Sequence, residues 1–182
     1  MRKLKLAIYV SLDGVVENPA WTAPFWNDEL SDMQADYLYS SDALILGRVT
    51  YEGFAASWPG MEESTGEFGK KMNSMPKFVA SNTLHDAEWN ASIIKGALAA
   101  EVQKLKNEDG GDLLIYGSGS LVDELTRLGL IDEYRLIVCP VLVGTGKRLF
   151  ERVPATTLQI VDSTMTEAGV AVLTYRPAAT SS

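Results

Sequence analysis

A chain of 182 residues with 46% hydrophobic and 22% charged side chains is long enough for a sizeable core and carries no disorder signature. Its formal charge of −8 argues against nucleic acid or an anionic membrane as a partner. One cysteine, Cys139, excludes an intramolecular disulfide and a multi-cysteine metal site, and one histidine, His85, argues against a histidine-rich metal site or a Ser-His-Asp triad.

The first five residues have the charge of a secretory n-region, but the apolar run behind them stops at Ser11 and Asp13 with no small-residue cleavage site. No stretch reaches transmembrane length, so the expectation is a cytoplasmic chain forming one domain over residues 1–182. Leu4 to Leu12 reads as a buried strand. Gly14 and Asn18-Pro19 mark turns, and residues 19 to 26 form an aromatic, proline-rich loop around Trp21, Phe25 and Trp26. Such a loop either packs as a connection or closes over a ligand.

Asn27 to Tyr39 reads as a helix: Asn27 can cap it, Asp28 and Glu29 suit its first turn, and Leu30, Met33 and Tyr37 share a face. Ala43 to Leu46 is a second short strand. It runs into Gly47-Arg48-Val49-Thr50 and a helix carrying Tyr51 and Phe54. Arg48 can pair a phosphate bidentately and Thr50 can donate its hydroxyl, although a surface arginine beside Glu52 has the same pattern. Trp58-Pro59-Gly60 closes that helix, and Glu62 to Ser74 holds a short further helix. Lys77 to Ala80 is a third strand ending in Ser81-Asn82-Thr83, a hydroxyl and amide cluster suited to phosphate, to ribose or to a capped turn. Trp89 to Ile94 reads as a short strand, and Leu98, Val102 and Leu105 mark a helix.

The stretch that organises the chain is Asp112 to Leu128. The apolar run Leu113 to Tyr116 suits a buried parallel strand, Gly117-Ser118-Gly119-Ser120 is a glycine turn, and Leu121, Val122, Leu125 and Leu128 recur at helical spacing. Ser120 with Asp123 reads as a helix start. A strand, a glycine turn and a helix N-terminus direct free N–H groups and a positive dipole end at one spot, which suits phosphate; an ordinary strand-to-helix turn has the same form. Tyr134 to Val138, Leu158 to Asp162 and Val170 to Tyr175 are the last strands, the final two as a hairpin, before a tail from Pro177 to Ser182. Gly144-Thr145-Gly146-Lys147 fails as a P-loop because Val141 replaces its first glycine and Arg148 its Ser/Thr. Gly117 to Val122 fails as a dinucleotide fingerprint because Val122 replaces the third glycine. Alternating strands and helices predict a mostly parallel α/β sheet, with candidate ligand contacts at the carboxyl ends of its strands.

Taken together, Ser11-Leu12-Asp13-Gly14, Leu46 to Glu52, Val79 to Asn82, Tyr116 to Ser120, Gly129 to Glu133 and Pro140 to Phe150 resemble the reductase domain of riboflavin biosynthesis, in the dihydrofolate-reductase-like superfamily. The resemblance implies that fold, with a mostly parallel sheet flanked by helices and antiparallel C-terminal strands. It implies an NADPH-dependent oxidoreductase acting on a pterin-like or ribosylaminopyrimidine-like C=N or C=O bond, as a 5-amino-6-(5-phosphoribosylamino)uracil reductase does. By the same resemblance Gly47, Arg48 and Thr50 bind pyrophosphate and 2′-phosphate. Ser81 and Asn82 lie near the adenosine ribose and its 2′-phosphate, and Gly117, Ser118, Gly119 and Ser120 line the pyrophosphate. Val10, Ser11, Asp13, Gly14 and Val15 flank the nicotinamide. No deaminase zinc motif is present, so the resemblance is to the reductase part alone. Dihydrofolate reductases carry an acid on the first helix. Of Asp28, Glu29, Asp32 and Asp36, helical phase puts Asp32 and Asp36 beside the inward face, and Asp32 is the expected proton donor. The expected partners are a small-molecule substrate and a second copy of the chain, with no nucleic acid, membrane or metal. The alternative is a non-catalytic, homodimeric module that binds a nucleotide or a flavin.

Overall fold

The structure, a computed structural model, describes residues 1–117 and 119–179. Ser118, expected in the phosphate turn, and residues 180–182 of the expected tail lie outside the described residues. The chain runs β1 (Leu4–Ser11), a 3-10 helix (Pro19–Phe25), α1 (Asp28–Tyr39), β2 (Ser41–Gly47), α2 (Arg48–Ser57), a 3-10 turn (Trp58–Gly60), α3 (Glu62–Thr65), α4 (Glu67–Ser74), β3 (Lys77–Ala80), β4 (Ala91–Ile93), α5 (Leu98–Asn107), β5 (Asp112–Tyr116), α6 (Gly119–Arg127), β6 (Glu133–Cys139), β7 (Leu158–Met165) and β8 (Ala171–Pro177).

The strands form one sheet in the order β4-β3-β2-β5-β1-β6-β8-β7. Neighbours from β4 to β6 are parallel, and β8 runs antiparallel to β6 and β7. The expected α/β sheet with antiparallel C-terminal strands is the one formed. The inner strands are apolar on both faces because helices cover both. On one face Leu4, Leu6, Ile8, Leu113 and Ile115 pack against Val102 and Leu105 of α5 and Leu121, Val122 and Leu125 of α6. On the other, Ala7, Leu44, Leu46, Leu114 and Tyr116 pack with Tyr37 and Leu38 of α1, Tyr51 of α2 and Met72 of α4.

Local chemistry sets the element ends. Asn27 is extended and its side chain accepts from the Leu30 N–H at 2.9 Å, as expected of a cap. The aromatic loop is wound into the 3-10 helix, with Pro19 at its start. Gly66, at φ 60°, splits the expected helix over 62–74 into α3 and α4. Trp89 and Asn90 sit at φ 57° and 53°, a left-handed turn that confines the expected strand to Ala91–Ile93. α6 begins at Gly119, so Ser120 lies in its first turn rather than at its cap.

The segment Gly129 to Glu133, part of the family resemblance, is a brace. The Asp132 carboxylate accepts from the Leu4 N–H at 2.7 Å and from Lys106 Nζ at 2.7 Å, tying β6 to β1 and α5. Glu133 is buried and accepts from the Tyr37 hydroxyl of α1 at 2.5 Å and from Arg176 of β8 at 2.9 and 3.0 Å. Cys139 is buried as expected, and that burial pushes its thiol up to about 11.

Candidate functional site

A cavity of about 650 Å³ opens at the carboxyl ends of β2 and β3. It is lined by the start of α2 (Gly47, Arg48, Val49), the segment Ala80 to Thr83 after β3, Ile94, Gly96 and Leu98, and the first turns of α6 (Ser120, Leu121, Glu124). Each wall is a strand that ends in a turn and passes into a helix or loop. Two of them present helix N-termini, of α2 and α6, where N–H groups have no intrahelical acceptor. Gly47, at the N-cap of α2, offers no side-chain cap, so the first N–H groups of that helix stay available.

Of the expected phosphate and ribose residues, Gly47, Arg48, Ser81, Asn82 and Ser120 all line this cavity. Thr50 and Gly117 meet one another instead. Gly117 sits at φ +64°, and a Cβ on it would lie 3.3 Å from Thr50 Oγ1, so this turn needs its glycine for conformation and for close approach. A Cβ on Gly119 would lie 3.5 Å from Val16, which brings the loop after β1 against the start of α6. Arg48 Nη1 contacts Glu52 at 2.9 Å, and both side chains are nearly half exposed. Such a surface pair contributes about 0–1 kcal/mol, less than a charge-assisted bond to an anion, so Arg48 is free to exchange partners. Ser81 Oγ accepts from the Leu84 N–H at 3.0 Å, so it caps its own turn while it lines the cavity.

The residues expected beside the nicotinamide, Val10, Ser11, Asp13, Gly14 and Val15, do not line this cavity; those after β1 form a hydrogen-bonded loop. Ser11 Oγ donates to Asp13 Oδ1 at 2.6 Å and accepts from the Val15 N–H at 2.8 Å. The Asp13 carboxylate also accepts from the N–H groups of Val143 (3.0 Å) and Gly144 (2.8 Å). The Ser11 hydroxyl first, and then those N–H groups, hold its acid down to about 2. Gly14, at φ +88°, accepts from the Leu149 N–H, and Val15 is fully buried and bridges to Arg148. A Cβ on Gly146 would lie 2.9 Å from Val15, so the Gly-Thr-Gly-Lys run serves packing. Val10 is buried within β1 and paired with Val138.

Asp32 lies on the exposed face of α1 and does not join the cavity. The inward face carries Leu30, Gln34, Tyr37 and Leu38. Sequence reasoning passed over Gly96, Leu98 and Glu124 as lining residues. The signal for the first two was present: Ile94-Lys95-Gly96 repeats the strand–glycine–helix pattern, and Gly96 takes φ +108°. Glu124 would oppose an anion, but it pairs with Arg127.

Residues 2–172 match the RibD C-terminal domain. The chain belongs to that family. This RibD-type domain is 32% identical over 178 residues to the protein YyaP of Bacillus subtilis, covering 96% of this chain and 94% of that one. The fold superposes on a diaminohydroxyphosphoribosylaminopyrimidine deaminase/5-amino-6-(5-phosphoribosylamino)uracil reductase from Thermotoga maritima, with a TM-score of 0.70 and 14% identity, over 97% of this chain and 57% of the other. It also superposes on a dihydrofolate reductase from Enterococcus faecalis complexed with NADP(H), with a TM-score of 0.66 and 16% identity, over 96% of both chains. The RibD-type domain therefore has the dihydrofolate-reductase-like fold expected of it. Among the described residues, no helix is long and apolar enough to cross a membrane.

Proposed function

We propose that this RibD-type domain is an NADPH-dependent oxidoreductase that reduces a C=N or C=O bond in a small ribosylaminopyrimidine-like or pterin-like molecule. The observation that carries the reading is the convergence of Gly47, Arg48, Ser81, Asn82 and Ser120 on one cavity at the carboxyl ends of the strands. The donor set fits the cofactor: the N-terminus of α2 without side-chain blocking, the first turn of α6, an exchangeable guanidinium, and hydroxyls with an amide for ribose. When bound, NADPH supplies the hydride. The starts of α2 and α6 hold its pyrophosphate, with Thr50, Gly117 and Gly119 keeping the turns close. Ser81 and Asn82 orient the ribose. Val10, Ser11 and the Asp13–Val15 loop, hydrogen-bonded to residues 143–149, would flank the nicotinamide. Asp32 faces solvent, so proton delivery runs through water.

Quenching of the protein's tryptophans should report binding that strongly favours NADPH over NADH. Arg48→Ala should weaken NADPH by about 1–2 kcal/mol more than NADH, the value of a charge-assisted contact at an exposed site less the lost Glu52 pair. Equal losses for both cofactors would remove Arg48 from the 2′-phosphate.

The exposure of Asp32 favours one other reading, a nucleotide- or flavin-binding module without turnover. Cofactor oxidation in the presence of any member of a pyrimidine and pterin panel rules that out. We also infer a homodimer, supported by the apolar side chains Ile160, Val161 and Met165 that edge strand β7 leaves exposed. Light scattering at micromolar concentration should return twice the chain mass, and a single-chain mass would end that inference.

A further inference from the structure

We propose that Glu124 is a specificity-determining residue of the cavity: its carboxylate accepts from the exocyclic amino group of adenine and selects an adenine dinucleotide over its hypoxanthine analogue. The inference rests on the reductase reading and names the part of the cofactor that this acid meets.

Among the described residues, the lining carries one cationic side chain, Arg48, and one anionic, Glu124. They reach the cavity from different sides. Tyr51 and Phe54 of α2 pack on one face of the sheet, and Leu121 of α6 packs on the other. Arg48 therefore approaches the strand ends from one face and Glu124 from the opposite one. A carboxylate in a cavity built for phosphate is a liability unless it has a partner of its own, because it repels the charge that the rest of the lining collects.

The side of the cavity that holds Glu124 is apolar. Ile94 and Leu98 are half-buried and pack in one cluster with Leu121. Gly96, between them in the chain, takes φ +108°, and a Cβ there would meet no atom within 4 Å. Two aliphatic side chains beside an uncovered stretch of backbone suit a flat ring. Within α6, Leu121 and Glu124 are three positions apart and share a face. Ser120 lies in the first turn, where the free N–H groups and the positive dipole end act. Glu124 stands four positions further on, about 6 Å along the axis at ~1.5 Å per residue. Pyrophosphate at the first turn is thus kept a turn away from the carboxylate, while a base on the apolar side can reach it. The salt bridge from Glu124 to Arg127 does not close it off: its side chain is 41% exposed and that of Arg127 50%. A carboxylate has about four acceptor sites, so one guanidinium contact leaves others open.

The chemistry of the acid then chooses the base. An ionised carboxylate accepts and cannot donate. Adenine brings two N–H bonds on its exocyclic nitrogen. Hypoxanthine has a carbonyl oxygen at the same position, which sets an acceptor against an acceptor. Ile94 and Leu98 contact the faces of both rings alike, so discrimination between them falls to Glu124.

The test is tryptophan quenching of the full chain by NADPH and by reduced nicotinamide hypoxanthine dinucleotide phosphate. Wild type should bind NADPH about tenfold or more tightly than the hypoxanthine analogue. Removing a negative charge strengthens any phosphorylated ligand, so the ratio of the two affinities, in which that effect cancels, reports the base. The ratio should fall to within about twofold of unity in Glu124→Met, which has no carboxylate, and in Glu124→Gln, whose amide donates as readily as it accepts. Both variants change a partly exposed side chain and keep the core intact. Arg127→Met should leave the ratio as in wild type, because Arg127 is not among the lining residues. A wild type that does not distinguish the two dinucleotides overturns the assignment, as does a ratio indifferent to both Glu124 variants. If NADPH binds and the ratio is flat, only this assignment falls. If neither dinucleotide binds, the cofactor reading falls and takes this one with it.

Discussion

Arg176→Met is expected to lower the stability of the fold by about 2–3 kcal/mol near neutral pH and by much less in acid, once Glu133 is protonated in the folded state. Arg176 clamps Glu133 through two hydrogen bonds, and the Glu133 side chain is 8% exposed while Arg176 is half exposed. Removing one partner of a fully buried pair costs about 3–5 kcal/mol, and the exposure of Arg176 reduces that. Burial works to raise the Glu133 acid, but the bonds from Tyr37 and Arg176 outweigh it and hold the carboxyl below its ordinary value of 4.5. A depressed acid stabilises the fold above its unfolded pKa, and that contribution disappears as pH falls through the folded value. Urea midpoints for both proteins should therefore converge in acid. A loss of equal size at neutral pH and in acid would assign the effect to packing of the arginine stem.

Lys77→Met is expected to do the reverse, raising stability by about 2 kcal/mol near neutral pH. Lys77 opens β3 and is 1% exposed, with its Nζ over the Trp89 ring at 3.9 Å and donating to the Asn73 carbonyl at 2.9 Å. Among the described residues it forms no salt bridge. Burial drives its ammonium down to about 8 from 10.5. A depressed lysine penalises folding fully below its folded pKa, and the penalty vanishes as pH rises through 10.5, so the advantage of the variant should fade over that window. Thermal melts at about pH 7 and about pH 10.5 check this. An unstable variant at neutral pH would mean that the Trp89 contact and the Asn73 bond together exceed the desolvation penalty.

The sheet was legible because its inner strands are short apolar runs that end in glycine or hydroxyl turns, as Leu113 to Gly117 and Ala43 to Gly47 do. The cavity was legible for the same reason, since Gly47, Arg48, Ser81, Asn82 and Ser120 stand where strands end. The order β4-β3-β2-β5-β1-β6-β8-β7 was not, because registers between residues more than a hundred positions apart leave no local trace. The first helix misled for a specific reason. Apolar spacing found Leu30 and Tyr37, but a polar residue on the buried side breaks the pattern it belongs to, so Gln34 was invisible, while Asp32, read as beside the inward face, is exposed. Asp13 was read as a neighbour of the nicotinamide. Its carboxylate is spent on the Val143 and Gly144 N–H groups, contacts that no spacing within the first twenty residues encodes.

β1 is the first strand of the sequence to be made, yet it lies between β5 and β6. Its pairings join Leu4 to Leu113 and Lys5 to Glu133, and the loop behind it hydrogen-bonds to residues 141–149. On a ribosome the segment must therefore wait, unpaired and apolar, until most of the chain has emerged. Refolding should be slow for a domain of this size and prone to aggregation at early times, because loop closure must be completed before these contacts form. The protection of β1 amides from hydrogen exchange during refolding should lag behind the recovery of helix.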